Sequence, residues 1–176
     1  MRIERLRVSN FRKIRAVELE PGAAANVVFG SNGGGKTSLL EAIHLLSSGR
    51  SFRSRRVADV ISEGEEQLNG FARVVTAGGV SSHIGVEKGK RKTRIRIDNE
   101  EVNQASGLAR LLPTLFIGAD CSRLLEEAER RRRLLDWVMF HVEPDYLQVF
   151  QRYQRVLRQR NAALRSLASA AVLDTW

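Results

Sequence analysis

Residues 2–9, Arg-Ile-Glu-Arg-Leu-Arg-Val-Ser, alternate charged positions with Ile3, Leu6 and Val8, with Leu6 out of phase with Ile3. Alternation of this kind predicts a strand with one buried face. Residues 10–13 predict a turn and residues 14–19 a second strand, which Pro21-Gly22 ends. The short apolar run Asn26-Val27-Val28-Phe29 predicts a buried strand. Leu39, Leu40, Ala42, Ile43 and Leu46 then recur at helical spacing, so a helix is expected from Ser38 to Leu46, stopped by Ser47-Ser48-Gly49. Residues 57–61 fit a short helix or an extended segment.

From Gln67 to Ile97 the period is that of strands. They are expected near 68–76, 81–87 and 93–98, with turns at Ala77-Gly78-Gly79, at residues 88–91 and at Asp98-Asn99. Residues 104–111 predict a helix and 113–117 another short apolar strand. A charge-rich helix is expected over 124–140. Pro144 suits the first turn of a last, long helix carrying Tyr146, Phe150, Tyr153, Leu157, Asn161, Leu164 and Ala168 at helical spacing, a face expected to serve packing. No internal repeat and no Pro- or Ser-rich linker interrupts the order. The mixture is that of an α/β chain, divided into residues 1–120 and a helical segment, 121–176.

Composition narrows the class. Hydrophobic residues make up 43% of the 176 positions, enough for a core and too many for disorder. No apolar run approaches the ~20 residues of a transmembrane helix, and the charged N-terminus is unlike a signal peptide. The single cysteine, Cys121, permits no internal disulfide, is expected to pack rather than react, and fits a cytoplasmic chain. The net charge is +9, with the excess in residues 1–60 and 121–176. A basic surface of this size favours a polyanionic partner, with nucleic acid first.

The most specific chemistry lies at Gly30-Ser31-Asn32-Gly33-Gly34-Gly35-Lys36-Thr37, a phosphate-binding loop between an expected strand and an expected helix. A triphosphate needs donors at short range. Glycines let the backbone N–H groups turn inward and approach it. The helix start adds unpaired N–H groups and the positive end of a dipole. Lys36 supplies a mobile cation for the β- and γ-phosphates, and the Thr37 hydroxyl is placed to ligate Mg²⁺. The ligand set predicted is ATP with Mg²⁺. A glycine-rich turn that merely ends in Lys-Thr is the weaker alternative.

Other candidates carry less. His44 is expected to pack on its helix rather than catalyse. His83 and His141 have no partners at metal spacing. Six of the nine residues from Lys88 to Arg96 are basic, which suits either a phosphate-tracking hairpin or a solvated tip. The run Arg130 to Arg133 has Glu126, Glu127 and Glu129 three or four residues back, so part of it is expected to be structural.

Several separated segments together resemble the N-terminal half of the RecF family of recombination-repair proteins. They are Asn10-Phe11-Arg12, the phosphate loop with Ser38 to Leu46, and Gly49-Arg50-Ser51-Phe52-Arg53. Later come Leu135-Asp136-Trp137, Phe140-His141-Val142-Glu143-Pro144 and Arg158-Gln159-Arg160-Asn161-Ala162. The resemblance implies a P-loop NTPase of the ABC-ATPase head type, with a mixed sheet, an antiparallel β subdomain and following helices. It implies ATP binding, head-to-head homodimerisation, binding to single-stranded DNA and to single-strand/double-strand junctions, action with RecO and RecR in loading RecA at damaged forks, and a place in the SOS response. Carried over by position, Gly30 to Thr37 hold the nucleotide and metal, and Arg12 approaches the phosphates. Arg50, Arg53, Arg55 and Arg56 are the DNA-contact candidates.

The chain also departs from the family pattern. RecF-like proteins are longer, and their second half carries a signature motif and an acidic strand. No strand-like run ending in Asp-Asp or Asp-Glu follows residue 120; Val172-Leu173-Asp174 lacks the context, and Ile117-Gly118-Ala119-Asp120 lacks the family's proline. The expectation is therefore nucleotide binding without appreciable hydrolysis. The rival readings are another ABC/SMC-like head and a non-hydrolysing regulatory fragment.

Overall fold

A computed structural model of the protein describes residues 1–76, 78–103, 105–118 and 126–165. The expectations placed on Ala77, Asp120, Cys121, Ala168 and residues 172–174, and on the start of the helix at 124, lie outside the described residues. The chain divides into two compact units, Met1–Phe116 and Ile117–Trp176.

The first unit is a twisted antiparallel sheet with a helix on one face. Its strands are β1 (Arg2–Phe11), β2 (Ile14–Leu19), β3 (Gln67–Val75), β4 (Ser81–Gly89), β5 (Thr93–Ile97) and β6 (Glu100–Glu101). They lie in the order β2-β1-β3-β4-β5-β6 and every pairing is antiparallel. The helix α1 (Lys36–Ser48) crosses the apolar face, and α2 (Ser106–Leu111) sits beside it. Alternation along the strands puts Leu6, Val8, Leu68, Ala72, Val74, Ile84 and Val86 into one core with Leu45 and Leu46 of α1 and Leu108 of α2. Each fully buried Leu, Ile or Val contributes roughly 1.5–3 kcal/mol of transfer free energy.

The phase slip between Ile3 and Leu6 has a structural cause. The β1–β3 register shifts between Ile3 and Arg5, and this bulge lets both Ile3 and Leu6 face the core. The opposite face of the sheet carries Arg5, Arg7, Phe71, Arg73, His83, Arg94 and Arg96, the other half of the alternation.

Two expected strands do not form. Residues 26–29 form no strand pairing among the described residues, and Val27 and Phe29 stand 83% and 89% exposed. A fully apolar strand is stable only between neighbouring strands that take up its backbone groups and cover both faces, and no described strand pairs with it. The mixed sheet expected of the fold class is thus present in its antiparallel part. Residues 113–117 are likewise without strand pairing, and Leu115 and Ile117 are exposed. Within that stretch Thr114 reaches the last turn of α1 and Phe116 the segment after it: the Thr114 and Ser47 hydroxyls lie 2.5 Å apart, and the Phe116 ring stacks on Phe52 at 4.1 Å.

The second unit holds α3 (Ala128–Val142) and α4 (Tyr146–Arg165). The Tyr146 hydroxyl donates to Asp136. The apolar stripe of α4, expected to be a packing face, has no buried residue among those described, and Val149 and Tyr153 are exposed. On α3, Arg130 pairs with Glu127 three residues back and Arg133 with Glu129 four back, as their spacing predicts.

Candidate nucleotide site

The loop between residue 29 and α1 turns on glycines. Gly35, the N-cap of α1, has φ 90°, and Gly33 has φ 80°, left-handed values that a side chain would strain. Gly34 N–H donates to the Ser31 carbonyl at 3.2 Å, closing the loop on itself. The first helical bond runs from Leu39 N–H to the Gly35 carbonyl, and no side chain caps the helix start. The earlier N–H groups at that end therefore have no partner within the helix and face an incoming acceptor.

Lys36 folds back into this ring. Its ammonium donates to the carbonyls of Gly30 at 2.9 Å and Ser31 at 2.8 Å. The loop opens onto a cavity of about 540 Å³ whose wall includes Arg12, Lys13, Lys36, Thr37, Arg53 and Asp59. Four of those six are cations. The donor set fits a polyphosphate: backbone N–H groups at a helix start, a mobile ammonium, two guanidiniums and an adjacent hydroxyl. Among the described residues no cluster of three or more His, Cys, Asp or Glu forms a metal cage.

Sequence reasoning did not assign a role to Glu41, which lies one turn into α1 and is 0% exposed. Arg12 Nε and Nη2 donate to its two oxygens at 2.6 and 2.7 Å, the bidentate arrangement. The Ser51 hydroxyl donates to Glu41 as well, and Arg53 Nη1 lies 3.7 Å from it. Burial pushes the Glu41 carboxyl up, but the bonds from Arg12 and Ser51 and the charges of Arg12 and Arg53 outweigh it and hold the group below its ordinary value. The same bond raises Arg12. A carboxylate inside the run Leu39-Leu40-Glu41-Ala42-Ile43 was the available signal. A buried charge of this kind requires partners.

Arg12 is held unusually firmly. Its backbone sits at φ 52°, its N–H donates to Val60 at 2.8 Å, and the Ser62 hydroxyl donates to its carbonyl at 2.7 Å. Its third guanidinium nitrogen donates to the Asp59 carbonyl at 3.0 Å. A left-handed non-glycine residue persists only where its surroundings fix it, and the five bonds around Arg12 do so.

The four arginines of the segment after α1 are exposed, but they are not equivalent. Arg53 is on the cavity wall, whereas Arg50, Arg55 and Arg56 are not. The serines set the path of the segment. Ser51 Oγ accepts from Arg53 and Ser54 N–H at 3.0 and 2.9 Å, and Ser54 Oγ accepts from Arg56 N–H at 3.1 Å. Gly49 ends α1 at φ 70°, where an added Cβ would come within 3.1 Å of Ala105. In the β4–β5 hairpin, Lys88 donates to the Gly49 carbonyl at 2.7 Å, and burial lowers its amine. Lys90, Arg91 and Lys92 are exposed at the turn. His44 sits on α1 against Phe52, with ring centroids 5.4 Å apart, and burial lowers its imidazole. That is the packing environment expected of it.

Fold and loop together are those of part of a phosphate-loop NTPase head of the ABC-ATPase type. Residues 2–122 match the RecF/RecN/SMC N-terminal domain, and the chain belongs to that family. It is 45% identical over 167 residues to the DNA replication and repair protein RecF of Pseudomonas paraeruginosa, covering 94% of this chain and 45% of that protein. It is 43% identical over 179 residues to the RecF of Pseudomonas syringae pv. tomato, covering 100% of this chain and 49% of that protein. The solved structure of the recombination mediator protein RecF-ATPrS in the RecFOR pathway superimposes with a TM-score of 0.82 at 26% identity, over 94% of this chain and 45% of that one. The chain thus spans about half the length of the curated relatives it matches.

Proposed function

We propose that the chain is the ATP-binding N-terminal half of a RecF-type DNA replication and repair protein. The observation that carries this reading is the Lys36 ammonium held inside the glycine loop at the start of α1, with Arg12, Lys13 and Arg53 on the wall of the same cavity. A triphosphate entering that cavity exchanges two carbonyl partners of Lys36 for phosphate oxygens and takes up the free N–H groups of the helix start. Mg²⁺ bound with it would neutralise phosphate charge, with the Thr37 hydroxyl as its protein ligand and phosphate oxygens and water completing the set. Support for the ligand also comes from the relative solved as RecF-ATPrS.

DNA is the proposed macromolecular partner, met as single strand and at junctions through Arg50, Arg55 and Arg56, with RecO and RecR as protein partners in loading RecA and in the SOS response. An ATP-dependent homodimer and a cytoplasmic setting complete the reading. No helix among the described residues is long and apolar enough to cross a membrane.

Binding without turnover is the expected behaviour of this chain, because no strand-like run ending in Asp-Asp or Asp-Glu follows residue 120 to supply the carboxylate that positions the attacking water. Release of inorganic phosphate from Mg²⁺-ATP should stay at the background rate, in the wild type as in Lys36→Ala. Steady release that Lys36→Ala abolishes would contradict the expectation.

A further inference from the structure

Three segments distant in sequence meet at one carboxylate. The β1–β2 turn sends Arg12, the segment after α1 sends Ser51 and Arg53, and α1 itself supplies Glu41. The bonds are unequal. Arg12 makes two short bonds and is 19% exposed at its side chain, whereas Arg53 stands 3.7 Å away and is 49% exposed. Ser51 ties the backbone of the segment to the same carboxylate, because it donates to Glu41 and accepts from the N–H groups of Arg53 and Ser54. Glu41 belongs to the helix whose first residue is Lys36.

We propose that Glu41 is a positioning residue that couples the nucleotide cavity to the basic segment of residues 50–56. With the cavity free of phosphate, Glu41 draws Arg53 inward and fixes the path of the segment through Ser51. A polyphosphate in the cavity competes for the loosely held Arg53 and leaves Arg12 and Ser51 to neutralise Glu41. Nucleotide occupancy then changes the conformation of residues 52–56, and with it the presentation of Arg55 and Arg56. The inference rests on the proposed nucleotide site. It adds a role for a residue that does not itself line the cavity.

Exchange of a charged partner for a phosphate is feasible because the two arginines are held so differently. Hydrogen bonds to charged groups are among the strong ones and fade with distance. The Arg12 pair has two of them, and the Arg53 contact has none at 3.7 Å. The weaker contact is the one that yields.

The test uses the whole chain and reads two quantities: the Kd for Mg²⁺-ATP by calorimetry, and the rate of trypsin cleavage after Arg53, Arg55 and Arg56 with and without nucleotide. In the wild type, saturating Mg²⁺-ATP should change the cleavage rate several-fold. In Glu41→Gln, nucleotide should still bind, weaker by up to about tenfold, while cleavage becomes fast without nucleotide and the nucleotide effect at Arg55 and Arg56 shrinks well below that of the wild type. Ser51→Ala leaves the Arg12–Glu41 pair intact, so it carries the test if Glu41→Gln does not fold. It should shrink the nucleotide effect on cleavage with little change in Kd.

A nucleotide-dependent change in cleavage of wild-type size in folded Glu41→Gln, or in Ser51→Ala, would overturn the proposal. So would a wild type that binds nucleotide with no change in cleavage, and in that case the nucleotide site itself still stands. A wild type whose calorimetry matches Lys36→Ala removes both the site and the coupling built on it.

Discussion

Glu41 shows how a single residue can organise a site from below its surface. Taking a carboxylate out of water costs several kcal/mol, so its retention in a helix core depends on the two-pronged Arg12 contact and the Ser51 hydroxyl. Because its folded pKa lies below the ordinary value, the stability it contributes is fully present above the carboxylate range and is lost as pH falls through the lowered value. Glu41→Gln keeps the shape and removes the charge. In urea denaturation at neutral pH it should cost roughly 3 kcal/mol, the scale of breaking a buried pair from one side. The gap between variant and wild type should narrow in acid, once Glu41 is protonated. A gap that stays constant down to about pH 3, or is absent at about pH 7, would mean that the charge of Glu41 is not what holds Arg12.

At the scale of elements, periodicity and local turn chemistry decide what is legible. The strands with one buried face, the glycine-punctuated turns and the phosphate loop are local signals, and β1 to β5 and α1 follow them closely. Residues 26–29 and 113–117 are apolar runs whose strand state depends on neighbours, and no local pattern reports whether neighbours exist. The convergence on Glu41 is invisible for a related reason. Its partners stand 10 to 29 positions away along the chain, and the sequence marks each segment without marking that they touch. The segment of residues 50–56 reads as a uniform basic stretch, whereas the serine-built path sends Arg53 to the nucleotide cavity and Arg55 and Arg56 elsewhere. If the latter two meet DNA phosphates, replacing both by Gln should reduce the slope of log K against log salt by roughly 0.7–0.9 for each phosphate no longer neutralised. Filter binding to single-stranded and junction DNA across salt concentrations measures it, and an unchanged slope would take both residues out of the interface.

For the whole molecule, the weight of the core is uneven. Every described residue that is buried lies between Leu6 and Leu112, inside the unit Met1–Phe116, and the described residues of α3 and α4 include none. Residues 1–116 should therefore fold without the rest of the chain and keep its urea unfolding free energy to within about 1 kcal/mol, since cooperative stability follows buried apolar area. A fragment that is unfolded in the absence of urea would show that the second unit carries stability its burial does not reveal.

The same unit exposes Val27, Val28 and Phe29 beside the loop that carries Lys36, so the central question is whether the loop works in this chain. Calorimetric titration of the purified chain with Mg²⁺-ATP, with Lys36→Ala alongside, answers it most directly. Saturable binding in the wild type that the variant loses is the predicted result. A folded wild type that takes up no nucleotide, or binds it no better than Lys36→Ala, would contradict the reading of this chain as an ATP-binding head.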